Sequence, residues 1–155
     1  MNDLLLNLIL TLDASFRVCI PLIFASMAGL FAERSGVVDI GLEGKLLMSA
    51  FIAASAATVF GSPWIGLIGG IFASCVFAMI HGFASITYKG NQIVSGVAIN
   101  ILASGLTMIL TLAWFKRGGI TPTLQADERF LSITLPGVDI IDHIPIIGVI
   151  YRELI

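Results

Sequence analysis

The sequence predicts an all-α, polytopic membrane helix bundle of about four spanning helices, with a glycine-broken connector after the first. Three observations carry this. Of 155 residues, 57% are hydrophobic and 12% charged, with a mean hydropathy of +1.02. Soluble domains are about 25% charged and already expose a mostly apolar surface, so one of this length has nowhere to hide this much apolar material. Charged residues vanish over the 43 residues Leu46–Tyr88 and again over the 26 residues Gly90–Phe115, against about 20 for one spanning helix. Turn-forming residues fall between the apolar stretches, where spans must be joined. A soluble enzyme, a secreted disulfide scaffold and a disordered chain are excluded.

The first element is one long or kinked helix over about residues 5–32. Leu4–Leu12 is apolar, Asp13 and Arg17 interrupt, and Val18–Ala32 continues with Pro21 inside. A signal peptide opens on a basic region, whereas residues 1–12 hold Asp3 and no Lys or Arg. Proline is tolerated in spans where neighbours resatisfy the backbone. The longer gap divides at Gly61-Ser62-Pro63, a turn signal followed by Trp64 at the expected interface. It yields spans at Lys45–Phe60 and Trp64–Tyr88. The former is short enough to begin inside the membrane. The second gap holds one more span, closed by Trp114, Phe115 and Lys116-Arg117. Residues 1–115 thus form the transmembrane region.

Residues 116–143 are expected to be an extramembrane loop, with Gly and Pro breakers, the triplet Asp127-Glu128-Arg129 and the β-prone run Ser132-Ile133-Thr134-Leu135. Residues 144–155 turn apolar again and are expected to start an incomplete further span. Lys89 in the cytoplasm would place the N-terminus and the 116–143 loop outside. Lys116-Arg117 argues the reverse.

A net charge of −2 and eight scattered basic residues exclude nucleic acid as a partner, since phosphate neutralisation needs clustered cations. Cys19 and Cys75 lie in apolar runs and read as small buried hydrophobes. His81 and His143 stand alone, so neither a metal nor another cofactor is expected. The acids lack a partnered histidine, and no GxSxG, HExxH or Walker A pattern occurs. The chain is therefore expected to lack a catalytic site, and any nucleotide cradle would belong to another polypeptide.

Three features exceed a generic span. In the third span Gly66, Gly70, Ser74, Ala78 and Gly82 recur every four residues, a spacing that lets a second backbone approach. It serves packing within the chain or a dimer face. In the fourth, Gln92, Gly96, Asn100, Ser104, Thr107 and Thr111 form a polar stripe that cannot face lipid. It bonds neighbouring helices or lines a wet cavity. The third feature is the connector Glu33–Lys45, with five charges and three glycines around apolar Val37-Val38 and Ile40. It is either a solvated loop or non-helical backbone at membrane depth, which is tolerated only where it is buried in protein or lines a cavity. Transporters place substrate beside such interrupted helices, and intramembrane acids mark functional sites. The expected pathway residues are accordingly Glu43, Asn100, Ser104, Gln92 and Asp39. Glu43 either hydrogen-bonds substrate hydroxyls or pairs with Arg34 or Lys45.

The stretch Ala28-Gly29-Leu30-Phe31-Ala32-Glu33-Arg34-Ser35-Gly36-Val37-Val38-Asp39-Ile40-Gly41-Leu42-Glu43-Gly44 resembles the "GLFSERSGVVNIGLEG" signature of ABC-importer permeases of the simple-sugar and nucleoside branch. These are grouped with the ribose and branched-chain amino-acid permeases. Asn91–Gly96 with Asn100–Thr107 resembles that branch's "NQVVSG…LNLLASGLT", and Gly61-Ser62-Pro63-Trp64 also fits. The similarity covers about residues 14–115, with Asp39 where the branch usually has Asn. It implies the N-terminal half of a permease of about eight helices in a bacterial inner membrane, moving nucleosides or simple sugars. Its implied partners are a second permease subunit, ATP-binding subunits and an extracytoplasmic substrate-binding lipoprotein. The similarity leaves unmatched the later cytoplasmic loop that couples such permeases to the ATPase, so a truncated permease is expected. An inactive permease fragment and a small self-assembling membrane protein are the alternatives.

Overall fold

The computed structural model describes residues 2–131. Four helices follow one another: α1 (Asn2–Arg34), α2 (Leu42–Phe60), α3 (Pro63–Gly82) and α4 (Gln92–Phe115), with a π-helical turn, Phe83–Thr87, continuing α3. No strand occurs among the described residues. All four helices are long and apolar enough to cross a membrane, α3 together with its π turn. Residues 28–130 form one compact unit, and residues 1–27 belong to another. The packing below is internal to the first. The expected further span at 144–155 lies outside the described residues, as does the expected loop beyond residue 131. Residues 116–131 carry no regular element.

The helix boundaries follow from local chemistry. At the end of α1, Gly36 adopts φ +87°, its N–H bonds Glu33 O at 3.0 Å, and Val37 N–H bonds Ala32 O at 3.1 Å. This paired closure satisfies two orphan carbonyls and needs a left-handed residue, which glycine supplies. Gly61 ends α2 in the same left-handed region, and Pro63 opens α3 at a first-turn position, where its missing N–H is no loss. Asn91 caps α4, its side-chain oxygen accepting from Ile93 and Val94 N–H at 3.0 and 3.2 Å. Pro21 lies within a continuous α1.

α2 and α3 pack antiparallel through small residues on both sides. A Cβ on Gly66 would come within 2.7 Å of Ala53 O and 2.9 Å of the Ala57 Cβ, and one on Gly70 within 3.1 Å of both Ser49 O and the Ala53 Cβ. The close approach thus uses Ser49, Ala53 and Ala57 of α2. The buried face of α3 continues as Ala73, Phe77 and His81 rather than along the four-residue spacing. Ser74 is half-buried, Ala78 is exposed, and a Cβ on Gly82 would meet nothing within 4 Å. The reason is geometric: at 3.6 residues per turn, each four-residue step drifts by about 40°, so Ala78 and Gly82 leave the α2 contact that Gly66 and Gly70 make. Met48, Phe51, Ala73, Phe77, Ile99 and Ala103 form the apolar centre where α2, α3 and α4 meet. Cys19 and Cys75, expected to be buried, are exposed. In a span an apolar side chain has no need of protein around it, because lipid is equally apolar.

Candidate functional site

The connector between α1 and α2 is non-helical over residues 37–39 and runs against the first turns of α4. Its backbone is satisfied by side chains of the polar stripe. Val38 N–H donates to Gln92 Oε1 at 2.7 Å, and Gln92 Nε2 reaches Gly36 O at 3.4 Å. Asn100 Nδ2 donates to Ile40 O at 3.1 Å, and its Oδ1 accepts from Gly44 N–H at 2.7 Å. Gly96 completes the cradle, since a Cβ there would lie 3.0 Å from Gly41 N and 3.1 Å from the Ile40 Cβ.

The bond to Gly44 has a particular meaning. Gly41 holds the N-cap position of α2 and makes no side-chain cap. A helix start normally takes an oxygen from its own N-cap side chain onto the second or third N–H; here Asn100 of α4 supplies it to the third. The start of α2 therefore sits beside Asn100, eight residues into α4, or about 12 Å along it at 1.5 Å per residue. From there the two helices run parallel, as the stacking of Phe51 on Trp114 at 5.9 Å requires. The connector backbone is bonded to α4 side chains, while Val38 and Ile40 each stay 43% exposed.

Charges are also shared within the connector. Lys45 Nζ pairs with Asp39 Oδ2, with both side chains almost fully buried, and Asp39 Oδ1 accepts from Gly41 N–H at 3.1 Å. His81 is 2% exposed. Its Nε2 lies 3.3 Å from Val38 O and 3.9 Å from Asp39 Oδ1, and its Nδ1 lies 3.0 Å from Ser95 Oγ. His81 and Lys45 are the residues sequence reasoning missed, His81 having been read as standing alone. The signal was present: positions 66, 70, 73, 77 and 81 follow the helical period. Asp39 is thus tied into an internal ion pair, and Lys45 is not the partner of Glu43. Glu43 has no hydrogen-bond or ion-pair partner among the described residues.

Two cavities line the face between α2 and α4. One, about 600 Å³, is bordered by Glu43, Gly44, Asn100, Ile101 and Gly105. The other, about 490 Å³, is bordered by Ala54, Thr107, Thr111 and, from the chain after α4, Gly119 and Thr121. Leu47, Ser104 and Met108 border both, so the two make one groove. Ile101, off the polar stripe, borders it as well. The structure thus brings Glu43, Asn100 and Ser104 to one surface, while Gln92 and Asp39 hold the connector behind it. Among the described residues no cluster of His, Cys, Asp or Glu has metal-binding geometry.

Four helices long and apolar enough to cross a bilayer define a multi-pass membrane protein, and one of them starts at non-helical backbone beside a largely apolar groove that carries Glu43, Asn100 and Ser104. The chain belongs to the family described as branched-chain amino acid transport system / permease component, whose model matches residues 11–135. It is 35% identical to the guanosine ABC transporter permease protein NupQ of Bacillus subtilis, over 96% of this chain and 47% of that protein. With the nucleoside ABC transporter permease protein NupC of Lactococcus lactis it shares 33% identity, over 84% of this chain and 41% of that one. With the putative glucose ABC transporter permease protein TsgC13 of Haloferax volcanii it shares 30%, over 88% and 40%. The chain spans about half the length of the curated relatives it matches. No solved structure matches it.

Proposed function

We propose that this chain is the transmembrane permease component of an ABC importer for nucleosides or simple sugars, with the α2–α4 groove as its share of the solute pathway. It works without a catalytic site of its own: ATP-binding subunits supply hydrolysis, an extracytoplasmic lipoprotein delivers solute, and a second permease subunit completes the path. The observation that carries this reading is the likeness to a guanosine permease across nearly the whole chain. The groove supports it: Glu43, Asn100 and Ser104 stand in a largely apolar groove beside backbone that departs from the helix, and transporters place solutes beside such interrupted helices.

Deleting the gene from its host is expected to abolish guanosine or glucose uptake while leaving leucine uptake intact, with recovery when the gene is returned. Loss of leucine uptake alone would reject the reading. For the groove, the chain with Cys19 and Cys75 replaced by serine serves as background. Ser104→Cys is expected to react with a water-soluble thiol reagent in membranes, while Leu102→Cys, which borders neither cavity, is not. Equal reaction of both would reduce the stripe to helix packing.

A further inference from the structure

We propose that Glu43 is the residue of the α2–α4 groove that recognises the solute, accepting a pair of its vicinal hydroxyls. The inference rests on the groove being the solute path and adds what that path recognises.

It follows from where the donors and charges of the wall already go. A hydroxyl has one proton to give and two lone pairs to receive with. Ser104 Oγ donates its proton to Asn100 O at 2.8 Å and Thr107 Oγ1 to Ser104 O at 3.0 Å, while Thr111 Oγ1 donates to Thr107 O. The protons of all three are committed to their own helix, which leaves lone pairs facing the groove at Ser104 and Thr107. Asn100 commits its oxygen and one amide proton to the connector. Lys45, the nearest cation in sequence, is buried against Asp39. Among the residues bordering the two cavities, Glu43 carries the sole charge, and none is Lys, Arg or His.

Glu43 has no partner among the described residues, yet it lies in the first turn of α2, where the helix dipole favours an anion. It is therefore a carboxylate held at the groove with its acceptor capacity unused. The wall is largely apolar, the polar groups it presents are mainly acceptors, and it has no cation. A solute carboxylate or phosphate entering it would lose water and find no counter-charge, and would meet Glu43 as well. Adjacent hydroxyls of a ribose or a hexose present two donors at the spacing of one carboxylate's two oxygens, and a site built to bond a hydroxyl rejects the analogue that lacks it. An amino-acid carboxylate has no receptor on this wall.

The test uses membrane vesicles of the host with the native assembly, carrying Met108→Cys as a reporter in the background lacking Cys19 and Cys75. Labelling by a water-soluble maleimide is followed with added solutes. Inosine is expected to slow it, 2′,3′-dideoxyinosine to need about tenfold more or above for the same protection, the scale of a lost hydrogen bond to a charged group, and leucine and inosine monophosphate to do nothing. Glucose and inosine as separate arms decide between a sugar and a nucleoside as the source of the diol. Glu43→Gln is expected to raise the inosine requirement about tenfold and to leave dideoxyinosine unchanged, a loss of discrimination that a merely structural role would not produce. Equal protection by inosine and its dideoxy analogue overturns the role of Glu43 while the path stands, and protection by leucine overturns the selectivity. Protection by none of the solutes overturns both the path and the inference.

Discussion

Asp39→Ala is expected to cost the folded protein about 3–5 kcal/mol, the scale of a buried ion pair that loses one partner. Lys45 is 6% exposed, and its amine would remain in the interior without a counter-charge. Asp39→Asn keeps an acceptor for Gly41 N–H but also leaves Lys45 unpaired, so it falls in the same direction. The double variant Asp39→Asn/Lys45→Met removes both charges and keeps the volume, and is expected to recover most of the loss, since matched replacement of buried pairs is often neutral. Thermal unfolding of the parent, Asp39→Asn, Lys45→Met and the double variant in mild detergent measures the cycle. A single variant as stable as the parent, or a double variant no better than the single, would show the pair to be incidental. The "GVVNIG" form of the resembled signature carries asparagine at this position, so in this chain the aspartate is expected to depend on its lysine.

Gly44→Ala is expected to be nearly as damaging, and Gly44→Leu to abolish recovery of folded protein. A Cβ at Gly44 would lie 2.8 Å from Asn100 Cα and 2.9 Å from Ile99 O. Both are backbone atoms of α4 and cannot swing aside, so α2 and α4 must separate, and the bonds of Asn100 to Gly44 and Ile40 lengthen with them. Overpacking of this kind costs about 3 kcal/mol at the upper end of its usual range. Gly105→Ala is the control, because a Cβ there meets nothing within 4 Å. In a helix interior that change is expected to be neutral or to stabilise by about 0.5–1 kcal/mol. Monodispersity and thermal midpoint in detergent decide. Equal tolerance at both positions would mean that the α2–α4 contact yields.

Much of this fold was legible in the sequence because lipid simplifies the problem. The two charge-free stretches place α2, α3 and α4 within a few residues, and the Gly61-Ser62-Pro63 turn needs no tertiary information. The face that Asn100 and Gln92 share was equally plain. Whether the connector is a solvated loop stayed open in the sequence, although orphan backbone and a polar stripe both need a partner other than lipid. What the stripe does was less plain. Its amides bond the connector backbone, a pairing across more than fifty residues that no local pattern contains. The Asp39–Lys45 pair was hidden for the same reason, since five charged groups lie close together in sequence and only the folded turn at Gly41 chooses among them. The glycine stripe of α3 misled beyond Gly70 because a spacing of four only approximates a helical face over two turns.

The oxygen that completes the start of α2 belongs to Asn100, 56 residues further along the chain. At about 5–20 residues per second of synthesis, the ribosome takes roughly 3–11 s to cover that distance. Throughout this interval α2 has left the ribosome without its acceptor, and Asp39, Glu43 and Lys45 have no stripe to lie against. The order of biogenesis is thereby imposed: the connector settles to its final depth after α4 enters the membrane, not when α1 and α2 do. Ribosome-arrested chains that stop short of α4 are expected to leave Lys45 open to a water-soluble amine reagent, and chains arrested beyond it to protect the same lysine. Protection already present in the shorter chains would mean that α1–α3 alone seat the connector.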